Sequence, residues 1–152
     1  MGSYYGEVNI QPESVGVLDD AVISGAMCGI VGYVGQSGND HEYFALDVVL
    51  EGLRRLEYRG YDSAGIAMYA DGEISWRKKA GKVAELDKEL ANRPVPDSVL
   101  GIGHTRWATH GGPTDINAHP HVVDGRKLAV VHNGIIENFS ELRTELIDKG
   151  AH

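Results

Sequence analysis

Cys28 follows Met27 directly and is the only cysteine in the chain. It opens the apolar, glycine-punctuated run MCGIVGYVG over 27–35. If the Met27–Cys28 bond were cut, one residue would carry a thiol nucleophile and a free α-amine together. An α-amine titrates near about pH 8, close to where a general base works best, so such a residue could run acyl transfer by itself. The plainer reading of a lone cysteine is a small buried hydrophobe.

Two further clusters suit the same chemistry. In GHTRWATHG, 103–111, Arg106 offers the planar fork that grips a carboxylate, and Thr109 and His110 add donors in a glycine-ended loop. In HNGIIEN, 132–138, the Asn133 amide beside the Gly134 N–H makes an oxyanion hole. A type I′ hairpin turn is the alternative for the same dipeptide. RGYDS, 59–63, is a third polar cluster. The five histidines between His104 and His132 raise the question of a metal. No zinc-type spacing joins them, Pro120 separates His119 from His121, and a rigid loop is the expectation there.

These residues need elements to hold them. The run from Cys28 reads as a buried strand. A helix follows from near His41 to Leu56, its apolar face made by Phe44, Val48, Val49, Leu53 and Leu56, with Asp40 as a possible cap. Ala64 to Tyr69 and Glu73 to Lys79 read as a hairpin around Asp71-Gly72. A helix is expected over Val83 to Leu90, strands over Val99 to Trp107 and Leu128 to His132, and a last helix from Asn138 or Ser140. The long polar loop between those two strands calls for a function. Hairpins in place of regular crossovers imply antiparallel sheet covered by helices.

Composition narrows the class. A length of 152 residues suits one domain. No apolar run approaches the roughly 20 residues of a membrane helix, and a single cysteine excludes an internal disulfide and fits a reducing, cytoplasmic setting. The net charge is −8, half of it from Glu7, Glu13, Asp19 and Asp20 before Met27, where no Lys or Arg occurs. That balance argues against a binder of nucleic-acid backbone. Residues 1–27 lack the pattern of a secretory or transit peptide and read as an extension: a cloning remnant, an upstream start or a propeptide. A short strand over Val15 to Ile23 is the alternative.

Together MCGIVGYVG, LEGLRRLEYRGYDSAGIA, GHTRWATHG, NAHPH and VVHNGIIEN closely resemble the N-terminal glutaminase domain of the glutamine–fructose-6-phosphate aminotransferases, the glucosamine-6-phosphate synthases. The match runs from Cys28 essentially to the end of the chain. Phosphoribosyl-pyrophosphate amidotransferases and asparagine synthetases spell the corresponding blocks differently. The resemblance implies an α+β fold, the four-layer αββα sandwich of the Ntn hydrolases with antiparallel sheets, shortened at its C-terminal side. It implies that Cys28 attacks the side-chain amide of L-glutamine and releases ammonia through a γ-glutamyl thioester. Asn133 and Gly134 would form the oxyanion hole, and Arg106 would hold the α-carboxylate. Thr109 and His110 would bind glutamine, Trp107 would gate the ammonia path, and Arg59 would lie beside the nucleophile. No cofactor or metal is implied. The partner would be a downstream sugar-phosphate isomerase domain acting on fructose 6-phosphate, in a homo-oligomer.

Two departures qualify this. In the family the cysteine is residue one, whereas here 27 residues precede it and its nitrogen is an amide. The acidic residue that binds the substrate α-amine, the later strands of both sheets and the isomerase part also lie beyond this chain, so exposed sheet edges are expected. Another class II amidotransferase, or a fragment that binds glutamine or glutamate without turnover, remains an alternative.

Overall fold

The computed structural model describes residues 28–35, 44–108, 111–123 and 125–150. The extension over 1–27, the strand considered within it, Asp40, Thr109 and His110 lie outside the described residues. In order, the elements are β1 (Gly29–Val34), α1 (Ala45–Arg55), a 3-10 turn (Glu57–Arg59), β2 (Ser63–Ala70), β3 (Glu73–Ala80), α2 (Val83–Asn92), β4 (Leu100–Arg106), β5 (His121–Val123), β6 (Leu128–Val130) and α3 (Phe139–Asp148). A four-stranded sheet runs β1-β4-β2-β3, and β5 pairs with β6. Every pairing is antiparallel, as the hairpin-rich sequence implies.

The register sorts the side chains of the large sheet into two faces, because successive residues of a strand point to opposite sides. Ile66 pairs with Gly103 and Met68 with Gly101, and this face packs on the helices. Ala45, Val49, Leu50 and Leu53 of α1 and Val83, Leu86 and Leu90 of α2 join Ala64, Ile66 and Met68 in one buried core. A methyl group at Gly103 would drive into Val49 and stand 3.1 Å from Leu53 Cδ1, so the bare backbone of β4 is what lets α1 lie so close. Asp47 in the first turn of α1 and Arg54 and Arg55 in the last suit the helix dipole. Tyr61 locks the start of α2: its hydroxyl accepts the Val83 N–H at 2.7 Å and donates to the Glu57 carboxylate. Burial, with Glu57 beside it, pushes this phenol up to about 12.

The opposite face is covered by the segment from Asp115 to Ala118 and by β6. Lys78 Nζ donates to the carbonyls of Ile116 and Ala118 at 3.2 and 2.8 Å, and Asp115 binds Lys79 Nζ at 2.7 Å and the Ala80 N–H at 2.8 Å. A cavity of about 290 Å³ lies between β2, β4 and β6, lined by Ala67, Ile102 and Leu128 among others. The layers thus run helix, sheet, sheet. All of α3 is exposed.

Four expectations need correction. The strand after Cys28 is not buried but an edge strand, with Ile30 47% and Val34 80% exposed. Its apolar run hides the fact that, among the described residues, only β4 flanks it. The polar loop contains a strand, β5, where a rigid loop was expected around His121, and it is only three residues long. Because β5 is so short, its partner β6 stops at Val130 and does not reach His132. Finally, Asn133-Gly134 is no hairpin turn: it leads from β6 toward α3, and Gly134 is not among the residues of positive φ. Asp71 and Gly72, with φ of 52° and 84°, do make the expected tight turn.

Candidate active site

Cys28 lies one residue before the β1 ladder, whose first pair is Gly29 with Thr105. Continuing that register by one residue sets Cys28 beside Arg106, on the face that Ile30 shares with its partner His104. The inter-sheet face of β1 and β4 therefore carries the thiol, His104 and Arg106 in one row. The backbone N–H of Trp107 donates to Cys28 Sγ at 3.2 Å, fixing the sulfur from the end of β4.

Asn133 arrives from the far side. Its Nδ2 donates to the Cys28 carbonyl at 3.2 Å, and its Oδ1 lies 2.7 Å from His104 Nε2. His104 is fully buried. A β-carbon on Gly134 would come within 2.8 Å of His132 Nε2, so the ring of His132 closes over this glycine.

Arg106 is held on the same face. Its guanidinium donates to the carbonyls of Gly111 and Gly112, both at 3.3 Å, and lies 3.9 Å from the Asp62 carboxylate. Asp62 accepts the Ala108 N–H through its other oxygen, and its own N–H donates to the Arg106 carbonyl at 2.8 Å. Asn117 Nδ2 also donates to the Gly112 carbonyl, at 3.1 Å. The cation thus sits, largely buried, in a frame of carbonyls and one carboxylate.

Behind His104 the histidine rings pack in a row, tilted and then edge-on. His104 and His119 have centroids 4.4 Å apart, and His119 and His121 4.5 Å. Burial, with the neighbouring imidazoles, pushes His119 down to about 4, and burial also lowers His104 and His121. These rings are neutral near pH 7. No group of three or more His, Cys, Asp or Glu among the described residues is arranged to hold a metal ion.

The structure therefore gathers Cys28, Asn133, Arg106 and the backbone of Trp107, with Gly134 under the ring of His132. Trp107 is 43% exposed. The exposed Arg59 side chain lies over the Tyr58 ring and donates to that hydroxyl at 3.1 Å. Three contributors went unassigned in the sequence. In the sequence Asp62 stands in a polar cluster with no evident partner, the Trp107 N–H carries no side-chain signature, and His104 suggests only a metal ligand.

No family model matches the chain. Among curated proteins, it is 81% identical over 124 residues to the isomerizing glutamine–fructose-6-phosphate aminotransferase of Corynebacterium efficiens, covering 82% of this chain and 20% of that protein. Over these residues the chain is closely similar to the N-terminal, glutaminase-type part of the glutamine–fructose-6-phosphate aminotransferases. The enzyme of the same name from Streptomyces coelicolor is 63% identical over 82% of this chain and 19% of its own length. That from Pyrococcus horikoshii is 57% identical over the same share of this chain and 20% of its own. The chain thus spans about a fifth of the length of these aminotransferases. Among solved structures, the glutamine phosphoribosylpyrophosphate amidotransferase of B. subtilis superposes with a TM-score of 0.58 at 25% identity, covering 83% of this chain and 25% of that one. The fold of this chain is the α+β fold of the Ntn-hydrolase amidotransferases.

Proposed function

We propose that residues 28–152 hydrolyse L-glutamine to glutamate and ammonia as the glutaminase part of a glucosamine-6-phosphate synthase, and that residues 1–27 are an extension outside that unit. Cys28 Sγ attacks the side-chain carbonyl carbon of glutamine, the oxygen takes up charge between Asn133 Nδ2 and the Gly134 N–H, and the C–N bond breaks to release ammonia. Water then cleaves the thioester to glutamate. Arg106 holds the substrate α-carboxylate, Thr109 and His110 close over it, and the Trp107 indole borders the path of the ammonia. The ammonia passes to a sugar-phosphate isomerase domain acting on fructose 6-phosphate, in a homo-oligomer within the cytoplasm. No helix among the described residues is long and apolar enough to cross a membrane.

The observation that carries this reading is the placement of Asn133 Nδ2 3.2 Å from the carbonyl of Cys28 while the Trp107 N–H holds its sulfur at 3.2 Å. Base catalysis by the α-amine requires Cys28 as residue one, and in this sequence its nitrogen is bonded to Met27. With that bond intact, the expected behaviour is binding of glutamine without turnover. The test combines intact mass with a glutaminase assay. A species starting at Cys28 should release ammonia from glutamine, and the same species with Cys28→Ala should not. Equal activity in the Cys28→Ala variant ends the proposal.

A further inference from the structure

Resting on the glutaminase reading, we propose that His104 is a positioning residue: through its Nε2–H it locks the Asn133 carboxamide so that Nδ2, rather than Oδ1, faces Cys28. Two acceptors force the chain of assignments. The Cys28 carbonyl can only accept, so the Asn133 atom 3.2 Å from it is the amide nitrogen. The atom at the other end is then Oδ1, which also can only accept, so the His104 nitrogen 2.7 Å away carries the proton. That leaves Nδ1 of His104 unprotonated, and it is buried without a hydrogen-bond partner.

Amide rotation is the failure this device prevents. A flipped Asn133 would aim its carbonyl at the place where negative charge grows, turning a stabilising dipole into a repulsive one. Rigid support of that orientation comes from below. The His104 ring lies against His119, and a β-carbon at Gly65, the β2 partner of His104, would collide with the His119 carbonyl. Only glycine there lets the second layer press the histidines together.

The test uses the protein with Cys28 as its N-terminal residue. His104→Phe keeps a ring against His119 but loses the donor, whereas the amide nitrogen of His104→Gln can reach the position of Nε2. Removing an oxyanion donor typically lowers kcat by about 100- to 1,000-fold, and His104→Phe should lose about 10- to 100-fold in kcat with KM little changed. His104→Gln should recover most of that loss. Alkylation of Cys28 by iodoacetamide builds no oxyanion, so its rate should be alike in parent and both variants. In an Asn133→Ala background, His104→Phe should cost nothing further, because the two act through one amide. Full activity in His104→Phe, a His104→Gln as impaired as His104→Phe, or an additive loss in the double variant overturns the positioning role and leaves the glutaminase reading intact. Slowed alkylation in His104→Phe also overturns it, by showing a general disturbance of the site. A parent that does not hydrolyse glutamine removes both.

Discussion

The backbone N–H of Trp107 and the sulfur of Cys28 are 3.2 Å apart, and the indole takes no part in that bond. The residue, 43% exposed, therefore has two separable parts: a main chain that places the thiol, and a side chain outside that bond. Trp107→Ala should leave iodoacetamide alkylation of Cys28 within about two-fold of the parent, since the donor remains. Mass-resolved labelling kinetics check it, and a large change would mean that the indole itself shapes the nucleophile.

Asp62 makes a different kind of prediction, because it organises Arg106 from behind. Its carboxylate takes the Ala108 N–H and faces the guanidinium at 3.9 Å, with both side chains largely buried. Asp62→Ala leaves the part-buried Ala108 N–H without this acceptor, at a cost of about 1 kcal/mol. It should also raise the KM for glutamine more than it lowers kcat, as the carboxylate clamp loosens. Arg106→Lys should show the same KM signature, because an ammonium cannot reproduce the two-pronged grip. Urea melts and steady-state kinetics separate the two effects.

Gly65 and Gly32 offer a matched pair. A methyl at Gly65 meets the His119 backbone carbonyl and stands 3.0 Å from the Arg77 carbonyl, and neither can move without shifting a layer. Nothing lies within 4 Å of one placed at Gly32. Gly65→Ala should destabilise by about 1–3 kcal/mol or more and depress glutamine turnover, while Gly32→Ala should stay within about 0.5 kcal/mol. Equal stabilities would mean that the two sheets are not in firm contact.

The histidine row sets an acid limit. His119 titrates at about 4 in the fold against 6.5 when unperturbed, lowered first by burial. The unfolded chain therefore binds the extra proton first, and stability falls as pH drops from 6.5 toward about 4. His104 and His121 shift in the same direction and steepen the loss. Melting temperatures taken across that window should decline, and less steeply in a His119→Gln variant. A profile unchanged by that substitution would place the titration elsewhere.

The elements with strong periodicity were legible from sequence. Val83, Leu86 and Leu90 announce α2, and Asp71-Gly72 announces the β2–β3 hairpin. β1 was seen as a strand but its setting was not, since an apolar run has no polar phase to show which flank is open. β5 went unseen because three residues beside a proline carry no period. Within the site, nucleophile, amide and guanidinium were readable because their functional groups are in the residue names. The Trp107 N–H and the Asp62 bracket arise from the register of β1, β2 and β4, and the His104–Asn133 bond from the segment after β6 meeting that sheet, none of which spacing along the chain encodes.

The ladder of β1 begins at Gly29, not at Cys28. On the reading proposed above, a chain starting at Cys28 would therefore keep every rung that aligns its first strand, because the first paired residue is Gly29. The seat of the sulfur under Trp107 would then owe nothing to whether residue 28 is a chain terminus, and only the chemistry of its nitrogen would change.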